Sequence, residues 1–335
     1  MKIFSAIRSH EWWGYKLPPL LAVGYATIIR LQQPVYSYWA ELLIILLSLA
    51  VGAVYVSLIN DLTDMNEDLR GGKHNRMAGL PPWLRSALIL VSLLAGGFFF
   101  RLFSFDRASL LCYGASWLAF TLYSVPPFRL KKRGVWGVLA DACGANLFPA
   151  LLVVYVLADS METIPSYWWT GGVAVWSLCY GLRGILWHQF SDRESDARAG
   201  VRTVATGIEP ERFRGAALGL LILELVALGV MLWWLKLALP LVFLGLYGLL
   251  LLAYRRMGMQ FLIVLPALRP PYHIVMSSYY QLFLLVSLLI ADALVHPYTW
   301  IVLAVHLLVF PGHLRRLAGD LKRSIKGKVV IINEH

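Results

Sequence analysis

The sequence of 335 residues contains few charged residues and few cysteines. Asp, Glu, Lys and Arg together account for 15% of it, whereas a soluble domain typically contains about 25%. Cys112, Cys143 and Cys179 all lie in apolar segments, and the sequence contains neither a CxxC pair nor an HExxH motif. This scarcity argues against an ordinary soluble domain, against a disulfide framework and against a metal site built from thiolates.

Hydrophobic residues make up 59% of the sequence. They occur in blocks of about 20 residues, the length that a helix needs to cross a bilayer. The block over 42–60, for example, contains no charged residue. The blocks predict helices over 17–33, 38–62, 84–104, 108–125, 135–157, 168–190, 214–234, 237–254, 274–294 and 298–313. The predicted fold class is therefore all-α, a polytopic membrane helical bundle that forms a single transmembrane domain over 1–335.

The basic residues are distributed unevenly between the two sides of the predicted bundle. Of the 30 Lys and Arg residues, 25 fall in the N-terminal segment, the loops after even-numbered helices and the C-terminal tail. Because cytoplasmic loops are enriched in Lys and Arg, both termini are expected in the cytoplasm. This orientation supports the tenth helix, so residues 296–335 are expected to form a possible extra helix and a basic cytoplasmic tail beyond a core of 1–295.

The net charge of +11 is therefore interpreted as a signature of membrane topology. No basic helix or nucleic-acid-binding module is visible, so the expected partners of the basic loops are anionic lipid headgroups and not nucleic acids. We expect an integral protein of a bacterial inner membrane. The N-terminal 16 residues are too polar for the apolar core of a signal peptide, so the first helix is expected to remain in the protein.

A cluster of acidic residues ends the second predicted helix, in the stretch "NDLTDMNEDLRGGKHNR" (60–76). Asp61 and Asp64 are three residues apart, and Asp64 and Asp68 are four apart. At about 100° per residue, these three carboxylates lie within about 60° of one another on one helix face. Glu67 points away from that face.

A second acidic stretch, "HQFSDRESDARAGVR" (188–202), follows the sixth predicted helix. Asp192 and Asp196 are four residues apart and share a face, with His188 one turn earlier. Both stretches contain the pattern D-x-R-x-G followed by a basic residue, which is typical of an internal duplication. A site between two such halves is a common plan in membrane proteins, and the glycines would allow each loop to turn over a bound anion.

Like charges at helical spacing repel one another unless a positive charge lies between them. The candidates are Lys and Arg side chains or a hard divalent cation. Mg²⁺ prefers oxygen ligands and completes its shell with water and substrate phosphates, so five carboxylates near basic residues suit a pair of Mg²⁺ ions bridging to a diphosphate. The alternative is that both stretches are solvated helix ends, an interpretation that two clusters on the same side of the membrane disfavour.

Three motifs of the chain resemble those of the UbiA superfamily of intramembrane prenyltransferases. The stretch "NDLTDMNED" matches the family's NDxxDxxxD motif, and "DRESD", followed by Gly200 and Thr203, is similar to its second acidic motif. Between them, "YSVPPFRLKKRG" (123–134) is similar to the family's tyrosine-to-lysine loop. The three motifs follow one another at the ends of the second, fourth and sixth predicted helices.

The resemblance implies nine core transmembrane helices plus a possible tenth around a cytoplasm-facing central cavity. It implies Mg²⁺ as cofactor and the transfer of a polyprenyl group from a polyprenyl diphosphate to a lipophilic or aromatic, quinone-like acceptor. The metal ligands it implies are Asn60, Asp61, Asp64, Asp68, Asp192 and Asp196. Tyr123 would stand near the breaking C–O bond, and the diphosphate would be bound by Lys131, Arg202 and, more weakly, Lys73 and Arg76.

Polar residues inside predicted membrane helices are functional candidates, because they are costly in lipid. His188, Asp141 and Asn146 are expected to line the substrate pocket, and Arg183 is expected to pair with Asp141 or Glu224. No residue selects the acceptor. Two alternatives to a prenyltransferase therefore remain: a terpene cyclase on the same fold, in which the prenyl chain attacks itself, and a transporter or lipid-binding protein that uses the acidic residues for ions.

Overall fold

The computed structural model describes residues 7–70, 72, 74–198, 200–266 and 271–325. These residues are almost entirely helical, which confirms the predicted fold class. The long helices before the strands are α1 (Ser9–Arg30), α2 (Trp39–Arg70), α3 (Pro82–Leu102), α4 (Arg107–Ser124), α5 (Val135–Ser160), α6 (Tyr167–Ser191), α7 (Pro210–Leu235) and α8 (Leu239–Arg256). Two short helices, Arg193–Arg198 and Val204–Gly207, lie between α6 and α7. The later helices are α9 (Tyr279–Ala293), α10 (Thr299–Val309) and α11 (Pro311–Ile325).

Five helices of the described chain are long and apolar enough to cross a membrane by length and composition, and a bent pair would make a sixth. The five are α2, α3, α5, α7 and α8. The helix α1 lies inside the bundle, where every residue from Leu17 to Ile28 is buried. Its side chains pack in the main apolar core against α5, α6, α7 and α9.

Two of the helices contain π turns within the bundle. The α5 helix changes to π geometry over Cys143–Leu147, where the amide of Phe148 donates to the carbonyl of Cys143, and α9 begins with a π turn over Tyr279–Phe283. A π turn inserts one residue into a helix and so rotates the side chains on either side of it relative to each other.

The connection between α8 and α9 contains a short parallel pair of strands, β1 (Gln260–Leu262) and β2 (Tyr272–Ile274). Arg183 on α6 anchors this connection from inside the bundle. Its guanidinium donates to both carboxylate oxygens of Glu224 at 2.7 and 2.8 Å and to the carbonyls of Ile263 and Val275, each at 3.1 Å. Of the two predicted partners of Arg183, the structure therefore selects Glu224 and not Asp141.

The C-terminal region differs from the single helix predicted over 298–313. The α10 helix ends at Val309, and α11 begins at Pro311 after a bend of 75°. Proline cannot donate a helical hydrogen bond, which explains the break. The α11 helix then packs back on the start of α1, where His313 Nε2 lies 2.7 Å from the carbonyl oxygen of Gly14. Asp320 accepts a hydrogen bond of 2.7 Å from the Tyr254 hydroxyl on α8.

Candidate functional site

The loop between α4 and α5, residues 125–134, lies against the end of α2 that carries the first acidic stretch. Lys131 Nζ is 2.8 Å from Asn60 Oδ1 and 2.6 Å from the carboxylate of Asp64. The Ser124 hydroxyl donates to the same Asn60 oxygen at 3.3 Å. Lys131 thus turns inward, with 12% of its side chain exposed. Burial lowers the pKa of this ammonium group, although the neighbouring Asp64 carboxylate opposes the shift.

The neighbouring basic residues of the loop contact the other acidic groups of α2. Arg129 donates to Asp64 Oδ1 at 2.7 Å and to Glu67 Oε1 at 2.5 Å. Lys132 donates to Glu67 Oε2 at 2.6 Å, and Arg133 contacts the Pro127 carbonyl at 2.9 Å. Glu67, which points away from the three aspartates, therefore holds the outer side of the loop while Asp64 holds its inner side.

Asp61 and Asp68 are held by residues other than those of the α4–α5 loop. Arg8, just before α1, donates to Asp61 Oδ1 at 3.1 Å, while Asp61 Oδ2 is buried without a partner among the described residues. Asn75 donates one amide group to Asp68 Oδ2 and to the carbonyl of Asp61, both at 2.8 Å. Asn75 therefore ties the turn after α2 back onto the acidic face.

Arg76, predicted to bind the diphosphate, lies beside this cluster but contacts another carboxylate. Its guanidinium donates to Glu11 Oε1 at 3.0 Å, and Glu11 also pairs with Arg8. The first turn of α1 is thus linked to the first acidic stretch through Arg8 and Glu11. Lys73, the other weaker candidate, lies outside the described residues.

The second acidic stretch also contacts the loop between α4 and α5. The amide of Gly134 donates to the carbonyl of Arg202 at 3.3 Å, which joins the two loops. Asp64, Asp141 and Asp196 all lie near enough for their charges to act on the Tyr123 hydroxyl. The structure therefore brings together the three sequence motifs at the ends of α2, α4 and α6.

The two acidic stretches share their turn geometry but differ in their helices. Gly72 and Gly200, four residues after Asp68 and Asp196, have φ angles of +70° and +68°. Only glycine adopts this left-handed region without strain, so the shared glycine reflects a shared turn. The α2 helix continues through all three aspartates of the first stretch, whereas α6 ends before Asp192 and a new short helix follows at Arg193–Arg198.

The polar residues predicted to line the substrate pocket lie on α5 and α6. His188 on α6 is exposed, although it lies among the helices, and Lys16, Asp141 and Asp192 are near enough for their charges to act on it. Asn146 is 8% exposed, and its Oδ1 lies 3.0 Å from the position that a Cβ on Gly181 would occupy. Asp141 and His188 are thus near each other across α5 and α6, and their role in a substrate pocket stays a prediction.

The carboxylates are not gathered into one cluster in this structure. Within the described ranges, no group of three or more His, Cys, Asp or Glu side chains is close enough to hold a metal ion together. At the end of α2, basic side chains pair with the acidic ones: Lys131 and Arg129 contact Asp64, and Arg8 contacts Asp61. The side chain of Asp192 is exposed and has no partner in the part of the chain that the structure describes. Arg202 is also exposed, on the rim of the site.

Sequence reasoning missed Arg8, Arg129, Asn75 and the pairing role of Glu67. Arg129 lies inside the loop 123–134, which the sequence analysis had singled out. The end of α2 carries more acidic residues than the basic residues predicted to pair with them, and this imbalance could have pointed to Arg129. Arg8 and Asn75 carried no such signal, because their contacts span 53 and 7 residues and depend on how α1 and the turn after α2 pack.

Comparisons with known proteins bear on the family and the fold. Residues 20–261 match the model of the UbiA prenyltransferase family, a range that contains all three motifs. No curated protein matches the sequence. The fold is similar to that of a UbiA homologue from Archaeoglobus fulgidus bound to GPP and Mg²⁺, with a TM-score of 0.54 and 16% identity over 91% of this chain and 100% of that chain.

A structure of a UbiA homologue from the same organism bound to DMAPP and Mg²⁺ has a TM-score of 0.50 and 13% identity over 94% of this chain and 99% of that chain. A Cd²⁺-bound structure has a TM-score of 0.53 and 14% identity, and the match covers 86% of this chain and 99% of that one. At these identities the structural likeness shows the fold of the bundle.

Proposed function

This chain belongs to the UbiA prenyltransferase family, and on that premise we propose that it transfers a polyprenyl group from a polyprenyl diphosphate to a lipophilic or aromatic acceptor. The observation that carries the proposal is the convergence of the three motifs. Lys131 contacts Asn60 and Asp64 on one side, and Gly134 contacts Arg202 on the other. A loop with basic side chains held between two acidic stretches suits a metal-bound diphosphate.

The residues present fit Mg²⁺. Asp61 Oδ2 is a buried carboxylate oxygen without a partner among the described residues, and the donor set is made of carboxylate and amide oxygens, which Mg²⁺ prefers. The ions would be held by Asn60, Asp61, Asp64 and Asp68 on the α2 side and by Asp192 and Asp196 on the α6 side. When bound, Mg²⁺ would neutralise the charge that develops on the departing diphosphate. The structural relatives bound to GPP or DMAPP together with Mg²⁺ support this assignment.

The basic residues would bind the diphosphate once their acidic partners are engaged elsewhere. Lys131 is the innermost of them, and its pairing with Asp64 holds the ammonium group beside the proposed site. Arg202 is exposed at the other side, and Lys73 and Arg76 are weaker candidates. These groups would stabilise the leaving group as the C–O bond breaks.

The membrane-embedded bundle would protect the allylic carbocation that remains. Tyr123 lies near both acidic stretches and is partly buried, so it would stand beside the breaking bond. The aromatic ring can stabilise a cation, and the apolar helices exclude water that would capture it. His188, Asp141 and Asn146 would line the acceptor side of the pocket.

The domain and its placement follow from the same proposal. We propose one transmembrane prenyltransferase domain over the chain, in contact with membrane lipids. The excess of basic residues on one side supports a site and termini that face the cytoplasm. The apolar helices and the family support an integral membrane protein.

The test is to incubate the purified protein with Mg²⁺ and radiolabelled prenyl diphosphates of several lengths, with and without membrane extract, and to separate the products by chromatography. A labelled lipophilic product that requires both Mg²⁺ and the extract is expected. A hydrocarbon formed without extract would indicate a cyclase. No turnover of any prenyl diphosphate would contradict the proposal and favour a transport or binding role.

A further inference from the structure

We propose that Asp141 on α5 receives the proton that the acceptor loses, and that the acceptor presents a hydroxyl group to Asp141, Asn146 and His188. The inference rests on the proposed prenyl transfer and deepens it, since it assigns the chemistry of the acceptor. It is carried by the positions of these side chains and by the lack of a described partner for Asp141 and Asn146.

Asp141 has no hydrogen bond or ion pair with any residue in the described ranges. It is half-buried in α5, and it is near enough for its charge to act on both Tyr123 on α4 and His188 on α6. A carboxylate inside a membrane helix is costly and normally pairs with a partner. Arg183, the nearest candidate from sequence, is instead fully engaged by Glu224 and two carbonyls.

Asn146 is a second polar group without a described partner, and it is 8% exposed. In an uninterrupted α-helix, residues five apart point about 140° away from each other. Asn146 lies inside the π turn over Cys143–Leu147, whose inserted residue reduces that angle. The π turn thus brings both side chains toward one face, and such turns are frequent at functional sites.

The packing of α6 on α5 keeps Asn146 in this position. A Cβ at Gly181 would lie 3.0 Å from both Cβ and Oδ1 of Asn146, so the glycine leaves space for the amide. His188 is seven residues later on α6, which places it on the same face two turns further toward Asp192. Asp141 and His188 are near enough to interact, and Asn146 lies on the same helix as Asp141, against α6. A carboxylate, an amide and an imidazole in this region suit a group that both donates and accepts hydrogen bonds.

The chemistry of transfer requires such a base. The prenyl C–O bond breaks and both of its electrons leave with the diphosphate. The acceptor supplies the electron pair of the new bond to the prenyl carbon, and it then loses one proton, whether a hydroxyl oxygen or a ring carbon of a phenol attacks. Asp141 takes up that proton, so the step is balanced without any further reactant.

The experiment measures what fraction of the prenyl cations is transferred to the acceptor and what fraction is captured by water. Wild-type protein is incubated with Mg²⁺, radiolabelled geranyl diphosphate and one of three probes: 1-naphthol, its methyl ether, or 1-monooleoylglycerol. Diphosphate release, prenylated probe and geraniol are each quantified. The expected result is transfer to at least one hydroxyl probe and none to the methyl ether.

The same assay is then run on Asp141→Asn, Asp141→Glu and a matched control, Asp159→Asn, which changes an exposed carboxylate on the same helix. Asp141→Asn should retain diphosphate release and lower the ratio of transfer to hydrolysis at least tenfold, Asp141→Glu should restore part of it, and Asp159→Asn should match wild type. Thermal unfolding of each variant separates a folding defect from this change.

The outcomes are distinct. Absence of diphosphate release by wild type would refute the proposed function itself. Diphosphate release without transfer to any hydroxyl probe, or equal transfer to the methyl ether, would refute the hydroxyl acceptor. An unchanged ratio in Asp141→Asn, or a loss of diphosphate release in that variant, would remove Asp141 from the proton-accepting role.

Discussion

Replacing Lys131 by alanine should lower kcat about 10²–10³-fold, which corresponds to roughly 2–4 kcal/mol of transition-state stabilisation. The reason is its position. Its side chain is 12% exposed, and its ammonium group lies within hydrogen-bond distance of Asn60 and Asp64, beside the proposed diphosphate. A charge in so dry a place interacts strongly with the charge that develops on the leaving group.

The two residues that follow provide the control. Lys132 is 33% exposed and pairs with Glu67, whose side chain is 44% exposed, and Arg133 contacts only a carbonyl of its own loop among the described residues. Exposed ion pairs contribute roughly 0–1 kcal/mol, so Lys132→Ala and Arg133→Ala should each change kcat less than about fivefold.

The assay is steady-state prenyl-transfer kinetics on the three single variants, with thermal unfolding as a check on folding. Because the charge of Lys131 acts mainly as the C–O bond breaks, its removal should lower kcat more than it raises KM. The contact with Asp64 is lost as well, but Arg129 remains 2.7 Å from that carboxylate and limits the effect on the fold. Equal and small losses in all three variants would mean that the loop only anchors the membrane topology.

The remaining predictions concern metal, topology and stability. Asp64→Ala and Asp192→Ala should each abolish turnover in protein that stays folded in detergent, and activity in EDTA equal to that in Mg²⁺ would contradict the metal assignment. A cysteine at Gly72 should be labelled only by reagents that reach the cytoplasm and one at Ser160 by impermeant reagents outside; the reverse pattern would overturn the orientation. Burial lowers the pKa of His273 from 6.5 to about 4, so the unfolded chain takes up this proton at higher pH than the folded one. Stability should therefore fall as pH drops from 6.5 toward 4, by up to roughly 3 kcal/mol; His273→Gln should reduce that loss in melting experiments at pH 7 and pH 5, and an unchanged pH dependence would exclude the role of His273.

The sequence by itself determined the class of fold and the family. Apolar blocks of membrane-spanning length follow from the cost of exposing polar groups to lipid, so the pattern predicts helices before any contact is known. Each of the ten predicted segments overlaps a described helix, and the resemblance to the UbiA prenyltransferases is confirmed by the family match over 20–261. The acidic stretches and the loop between them were also visible, because each is a local pattern of a few residues.

The sequence also anticipated part of the local geometry. Glycines after both acidic stretches predicted tight turns, and Gly72 and Gly200 adopt the left-handed conformation that such turns need. Composition alone could not rank the three adjacent basic residues Lys131, Lys132 and Arg133, of which Lys131 is the most buried in the structure.

Only the tertiary structure decided which charged groups meet. Arg8 reaches Asp61 across 53 residues, and Arg183 chooses Glu224 and leaves Asp141 without a described partner. Such pairings depend on the relative rotation of packed helices, which hydropathy does not record. The π turn in α5 is the clearest case, because one inserted residue rotates Asn146 toward Asp141 and no local pattern in the sequence announces it.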